Sequence, residues 1–134
     1  MLHEGKGAAL RLEGLTKRFG RVDNPAVDNV DLEIAPGEFM TFLGPSGSGK
    51  TTTLNMIAGF LSVTSGRILV DGVDIVKTPT HKRNMGMVFQ QYALFPHMTA
   101  AHNVAFPLEQ RGLDKASIRA LVADALDLVH LGAF

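Results

Sequence analysis

Gly44-Pro45-Ser46-Gly47-Ser48-Gly49-Lys50-Thr51 fits the phosphate-binding P-loop pattern, G-x-x-x-x-G-K-[ST], at every required position. Each part has a physical task. Gly44 lets the chain turn sharply out of a strand. Gly47 and Gly49 place no side chain between the backbone and a ligand, so N–H groups can approach phosphate oxygens closely. Lys50 brings positive charge to the outer phosphates, and the Thr51 hydroxyl suits ligation of Mg²⁺. On one flank, Phe39-Met40-Thr41-Phe42-Leu43 is a short, mostly apolar run that predicts a buried strand. On the other, residues 51–59 predict a helix, with Leu54, Ile57 and Ala58 on one face at i, i+3 and i+4. A strand, a Gly-rich turn and a helix N-terminus make an anion site, because orphan N–H groups and the helix dipole both point at the phosphate. The competing reading is a plain Gly/Ser turn; the lysine, the hydroxyl and both flanks argue against it.

Further out, residues 1–7 read as a loose leader. Leu10 and Leu12 alternate with Arg11 and Glu13, a half-buried strand, and Val30, Leu32 and Ile34 alternate with Asp31 and Glu33, a second one. Ala35-Pro36-Gly37-Glu38 and Thr64-Ser65-Gly66 are turns, residues 67–70 a short strand, and Asp71-Gly72 a tight hairpin signal. Residues 77–84 are polar and basic, which predicts a surface loop with His81, Lys82 and Arg83 as a solvated cluster. Residues 85–89 are strand-like. From Gln90 onward the pattern turns helical: Asp114 is an N-cap candidate, with Leu113 placed to pack on Ile118 as a hydrophobic staple. Ile118, Leu121, Val122, Ala125, Leu126 and Val129 then keep one apolar face, read here as packing on its own domain rather than as a partner surface.

Composition narrows the function classes. The 134 residues suffice for one small domain or part of a larger one, and 46% apolar content suits a globular core. Thirteen basic residues balance thirteen acidic ones, so no global field favours nucleic acid or an anionic membrane. Cysteine is absent, which excludes disulfides and thiolate metal sites. His97 and His102 lack a third ligand in a sensible pattern, so no metal site is expected there. No apolar run approaches the roughly 20 residues that cross a bilayer, and residues 1–7 lack the apolar core of a secretory signal. The expectation is a cytosolic protein that reaches a membrane only through a partner.

Three blocks now stand together in order: Leu15-Thr16-Lys17-Arg18-Phe19-Gly20, the P-loop, and residues 86–99 with Gln90-Gln91-Tyr92 at their centre. Together they resemble the nucleotide-binding subunit of an ABC transporter, and the third block is similar to importer ATPases of the spermidine/putrescine type. The likeness runs from about residue 8 to residue 134, with a helical subdomain beginning near residue 90. The fold it implies is α/β: a P-loop NTPase of the ABC type, with an N-terminal β subdomain, the P-loop strand and helix, and the start of the helical subdomain. The sheet is expected to be largely parallel.

The resemblance also implies roles. Phe19 stands where the family stacks an aromatic on adenine; without that context it reads equally as a strand-end core residue. Residues Gly44, Pro45, Ser46, Gly47, Ser48, Gly49, Lys50 and Thr51 would hold the phosphates of ATP, and Thr52 the innermost one. Gln90 matches the glutamine that reaches Mg²⁺ and the attacking water, so Lys50 and Gln90 are the catalytic candidates, and Thr51 and Gln90 the metal-binding ones. Residues 90–98 lie near the surface that receives a membrane permease, although their apolar side chains equally suit the loop's own packing. A second nucleotide-binding subunit is the other implied partner, with the assembly held on the cytoplasmic face of the membrane. One departure is His102, where the family often carries an acidic residue.

Within these residues there is no Leu-Ser-Gly-Gly-Gln segment and no apolar strand ending in Asp-Glu. Residues 131–134 resemble the approach to that segment, and the chain reads as an N-terminal portion of an ABC ATPase. The expectations that follow are negligible ATPase activity and a marginal or aggregation-prone fold with an unpaired P-loop strand. The alternatives are a Mg-ATP-binding module that does not hydrolyse, and a different P-loop enzyme such as a small-molecule kinase; Phe19 and the Gln90 block argue against the latter.

Overall fold

The computed structural model describes residues 7–20 and 24–132, and the leader expected at residues 1–7 lies outside them except for Gly7. The chain divides into two compact units, Met1–Met87 and Val88–Phe134.

In the first unit, the alternation read at residues 10–13 opens β1 (Leu10–Lys17), and that at residues 30–34 closes β2 (Val27–Ile34). They are followed by α1 (Lys50–Ala58), β3 (Ser65–Val70) and β4 (Val73–Asp74). The sheet runs β2-β1-β3-β4 and is antiparallel throughout. Leu12 sits opposite both Leu32 and Ile68, so the apolar positions of three strands share one face. Leu12, Leu15, Val27 and Ile68 from the sheet, Met56 and Ile57 from α1, and Ile75 form the core. The β3–β4 hairpin is built as expected: Asp71 and Gly72 both take positive φ, 49° and 80°, as a tight two-residue turn requires. The turn at residues 35–38 is present too, closed by the Glu38 N–H on the Ala35 carbonyl at 3.1 Å.

Five expectations are corrected. Residues 39–43 form no strand, and Phe39 is 92% exposed. Residues 85–89 form none either, and Val88 is 98% exposed. A buried strand exists only where neighbours satisfy its backbone, and among the described residues no strand runs beside either segment. The expected largely parallel sheet is absent among the described residues for the same reason. On α1 the buried face is Thr53, Met56, Ile57 and Ala58, while Leu54 is 47% exposed. Leu54 borders an open apolar cavity of about 510 Å³ that it shares with Phe39, Met40, Phe42, Leu10 and Ile34. The fifth correction is Arg83, which is half-buried rather than solvated. Its guanidinium donates to the carbonyls of Met56 (2.8 Å), Ile57 (2.7 Å), Val76 (3.1 Å) and Thr78 (2.8 Å).

The second unit holds α2 (Ala100–Gln110) and α3 (Lys115–Leu128), packed on each other. Thr99 caps α2 by accepting from the His102 N–H. On α3 the apolar stripe is narrower than expected: Val122 is buried, Ile118, Ala125 and Leu126 are half-buried, and Leu121 and Val129 are exposed. Asp114 caps α3 as expected, accepting from the backbone N–H groups of Ala116 and Ser117, each at 3.0 Å, and from the Ser117 hydroxyl. The Ser117 bonds hold its pKa below the ordinary carboxylate value. A depressed folded pKa means the cap contributes above the unfolded pKa and is lost as pH falls through the folded one. Protection of the Ala116 and Ser117 amides, taken relative to their intrinsic exchange rates, should therefore fall as pH drops through the acid range. Asp114→Asn should remove that dependence while keeping the cap; an acid response that persists in Asp114→Asn would refute the assignment. Among the described residues no helix is long and apolar enough to cross a membrane.

Candidate functional site

The P-loop is assembled by local geometry. Gly49 is the N-cap of α1, held at φ 88° and ψ 0°, and offers no side-chain cap to the first turn. Its carbonyl accepts from both the N–H and the hydroxyl of Thr53, at 2.8 and 2.9 Å. Upstream, the Ser48 N–H closes a turn on the Pro45 carbonyl at 3.3 Å. Among the described residues no protein acceptor pairs with the N–H groups of Gly47, Gly49, Lys50, Thr51 or Thr52. These orphan donors stand at the positive end of the helix dipole. Residues 46–52 and Ala26 line a cavity of about 310 Å³ there.

Lys50 is folded back over the loop. Its Nζ donates to the carbonyls of Gly44 (2.7 Å) and Pro45 (2.8 Å) and to Ser48 Oγ (3.1 Å). All three acceptors are neutral, and the first turn of α1 carries no acidic residue. The ammonium charge is therefore uncompensated locally, as an anion site requires. Gly49 is also a place of close approach: a Cβ there would lie 2.5 Å from the Ala26 carbonyl oxygen and 3.2 Å from Val27 Cγ2. The loop thus leans on the start of β2, with no room for a side chain.

This donor set (backbone N–H groups, one ammonium, hydroxyls of Ser46, Ser48, Thr51 and Thr52) fits a polyphosphate. It does not fit a divalent cation alone, since the described residues contain no cluster of three His, Cys, Asp or Glu. A magnesium ion here would need phosphate oxygens beside the Thr51 hydroxyl.

The other predicted residues are placed differently. Phe19 lies two residues beyond β1, in the same unit, 49% exposed and outside the lining of the loop cavity. Its ring is met by Lys17 Nζ, 5.1 Å from the centroid. Gln90 lies in the second unit, exposed in a turn, followed by Tyr92 and Ala93 at φ 61° and 51°. The two readings of residues 90–98 divide by residue. Tyr92 and Leu94 are exposed, whereas Phe95 packs on the Phe106 ring at 4.9 Å. Asn103 clamps that loop, accepting from the Phe95 N–H (2.8 Å) and donating to the carbonyls of Phe95, Met98 and Thr99. Sequence reasoning missed Asn103, whose only signal is its position four residues after the Thr99 cap, and it missed Lys17 and Arg83.

The profile of the ABC transporter family matches residues 27–133. The chain is 52% identical over 126 residues to the spermidine/putrescine import ATP-binding protein PotA of Thermobifida fusca, covering 92% of this chain and 33% of that protein. It is 56% identical over 127 residues to the protein of the same name from Nitrosomonas europaea, covering 95% and 35%. It is 48% identical over 124 residues to the Fe(3+) ions import ATP-binding protein FbpC of Brucella suis, covering 92% and 35%. The chain thus spans about a third of the length of the curated relatives it matches. Among solved structures, the dimeric ATP-binding cassette MJ0796 in a post-hydrolysis state bound to ADP and Pi matches with a TM-score of 0.77 and 31% identity, over 88% of this chain and 56% of that one.

Proposed function

The chain belongs to the ABC transporter family, and from that membership we propose that it is the nucleotide-binding portion of an importer's ATP-binding subunit, taking Mg-ATP at the P-loop. The observation that supports this most directly is the set of orphan N–H groups around a cavity closed by Lys50. In this reading residues 44–51 hold the phosphates, and Lys50 exchanges its neutral carbonyl partners for the outer phosphate oxygens. Thr52 contacts the innermost phosphate, and Phe19 stacks on the base. Thr51 and Gln90 are the residues that would hold a magnesium ion, which when bound neutralises phosphate charge, and Gln90 would orient the attacking water.

The transported class in this reading is polyamine: relatives named for spermidine/putrescine import match at 48% to 56%, and two named for Fe(3+) import at 46% and 48%. The partners are a second nucleotide-binding subunit, supported by the dimeric MJ0796 cassette, and a permease that meets residues 90–98, where Tyr92 and Leu94 stand exposed. In this reading the subunit sits peripherally on the cytoplasmic face of a membrane.

Hydrolysis needs an oriented water and a carboxylate beside the charge-neutralising groups. The P-loop and Gln90 supply only part of this, so these 134 residues alone bind without turnover. Calorimetric titration with Mg-ATP, run beside a phosphate-release assay, tests the proposal. Saturable binding that Lys50→Ala weakens by about tenfold, without phosphate release, is the expected result. Lys50-dependent release would overturn the non-hydrolytic reading; binding that is absent or indifferent to Lys50→Ala would overturn the site.

A further inference from the structure

Lys17 is an anomaly of the first unit. It ends β1 and is only 7% exposed, yet it forms no salt bridge among the described residues. A buried ammonium is costly unless its donors are satisfied. Here they are satisfied without a counter-charge: Nζ donates to the Ser62 carbonyl at 2.6 Å and to Ser62 Oγ at 3.1 Å. The remaining side of the ammonium faces the Phe19 ring, 5.1 Å from its centroid, within the range of an attractive cation–π contact. A methionine or leucine would fill this space without a charge to desolvate, so packing alone does not account for a lysine.

The backbone around the pair is pinned by three hydrogen bonds, two to Thr64 and one to Ala26. Thr64 N–H donates to the Thr16 carbonyl at 3.0 Å, and Arg18 N–H donates to Thr64 Oγ1 at 3.0 Å. Ala26 N–H donates to the Lys17 carbonyl at 2.8 Å, and Ala26 in turn lines the P-loop cavity and abuts Gly49. The end of β1 is therefore registered to the P-loop through Ala26. Phe19 is the half-exposed group carried on that registered end.

We infer that Lys17 is a positioning residue that sets the plane of Phe19, bracing one ring face with its ammonium so that the other is presented to a nucleotide base. This rests on the reading of Phe19 as the base platform. The ammonium fixes the ring without occupying its open face, and the Ser62 oxygens fix the ammonium. The consequence is selective: Lys17 adds to affinity for the base and nothing to affinity for phosphate.

The test compares Mg-ATP with magnesium tripolyphosphate, which offers the P-loop the same phosphates and Phe19 nothing. Lys17→Met is expected to weaken ATP binding about three- to tenfold while leaving tripolyphosphate affinity unchanged. Lys17→Arg, which keeps a cation on the ring, should restore the ratio. Equal weakening of both ligands, or of neither, would overturn the inference. Phe19→Leu separates the two levels. If it leaves the ATP-to-tripolyphosphate ratio unchanged, the base-platform reading fails and this inference with it. If it lowers the ratio and Lys17→Met does not, only the lysine inference fails. In the Phe19→Leu background, Lys17→Met should cost nothing further. Should Lys17→Met not fold, Ser62→Ala strips one anchor and leaves the lysine; the ratio should still fall, and an unchanged ratio refutes the bracing.

Discussion

Arg83→Met is expected to lower the unfolding free energy of the first unit by about 3 kcal/mol. Met56 and Ile57 lie in the last turn of α1; the Met56 carbonyl takes one donor from the Gly59 N–H at 3.2 Å, and further donors to this turn come from outside the helix. Arg83 supplies them, and with its other nitrogens ties the carbonyls of Val76 and Thr78 to the same point. Thr80 adds a hydroxyl bond to the Gly59 carbonyl at 2.7 Å. Burial lowers the Arg83 pKa from its ordinary value, but a guanidinium stays charged in proteins, and a cation at a helix C-terminus is favourable. Methionine matches the length of the stem and removes all four bonds. Arg83→Lys keeps the charge but not the fork, and should recover only part of the loss. Urea unfolding followed by far-UV circular dichroism measures it. A change below about 0.5 kcal/mol, the range of an ordinary surface substitution, would mean the carbonyls find water and the clamp is not structural.

Arg83 also marks the limit of what sequence patterning carries here. In His81-Lys82-Arg83 the three basic residues are alike as composition, and the usual fate of such a run is solvent. Only the return of the loop beneath α1 separates Arg83 from its neighbours. The P-loop was legible because its function is local: the turn, the N-cap glycine and the lysine lie within eight residues, and the geometry that orphans their N–H groups is set by those residues alone. The hairpin at Asp71-Gly72 and the cap at Asp114 were legible for the same reason.

Strands are different. Residues 39–43 and 85–89 have strand composition, but a strand is a relation between segments, and apolar content does not create the neighbour. The exposure of Phe39 and Val88 follows from that missing relation rather than from any local feature. Lys17 lies between these cases. Its place in the Leu15–Gly20 block was read as part of a resemblance, while its burial against Ser62, 45 residues away, has no signature in spacing.

Gly49→Ala should be the most damaging single-methyl change in the site, costing about 2–3 kcal/mol of stability together with nucleotide binding. Two terms add. The residue sits at φ 88°, where an L side chain costs about 1–2 kcal/mol. The new Cβ would also stand 2.5 Å from the Ala26 carbonyl oxygen, which is backbone and cannot rotate away. Relief requires the loop to lift from β2, and lifting carries the N–H groups of Lys50, Thr51 and Thr52 off the cavity they line. Gly47→Ala is the control. Its φ of 81° imposes the same conformational penalty, but a Cβ there meets nothing within 4 Å, so only the first term, about 1–2 kcal/mol, should appear. Urea midpoints for the two variants, each paired with an ATP titration, separate the terms. Equal destabilisation by both would show that the conformation alone demands glycine. A larger loss at Gly49 with ATP affinity intact would show that the loop can leave Ala26 without opening the phosphate site.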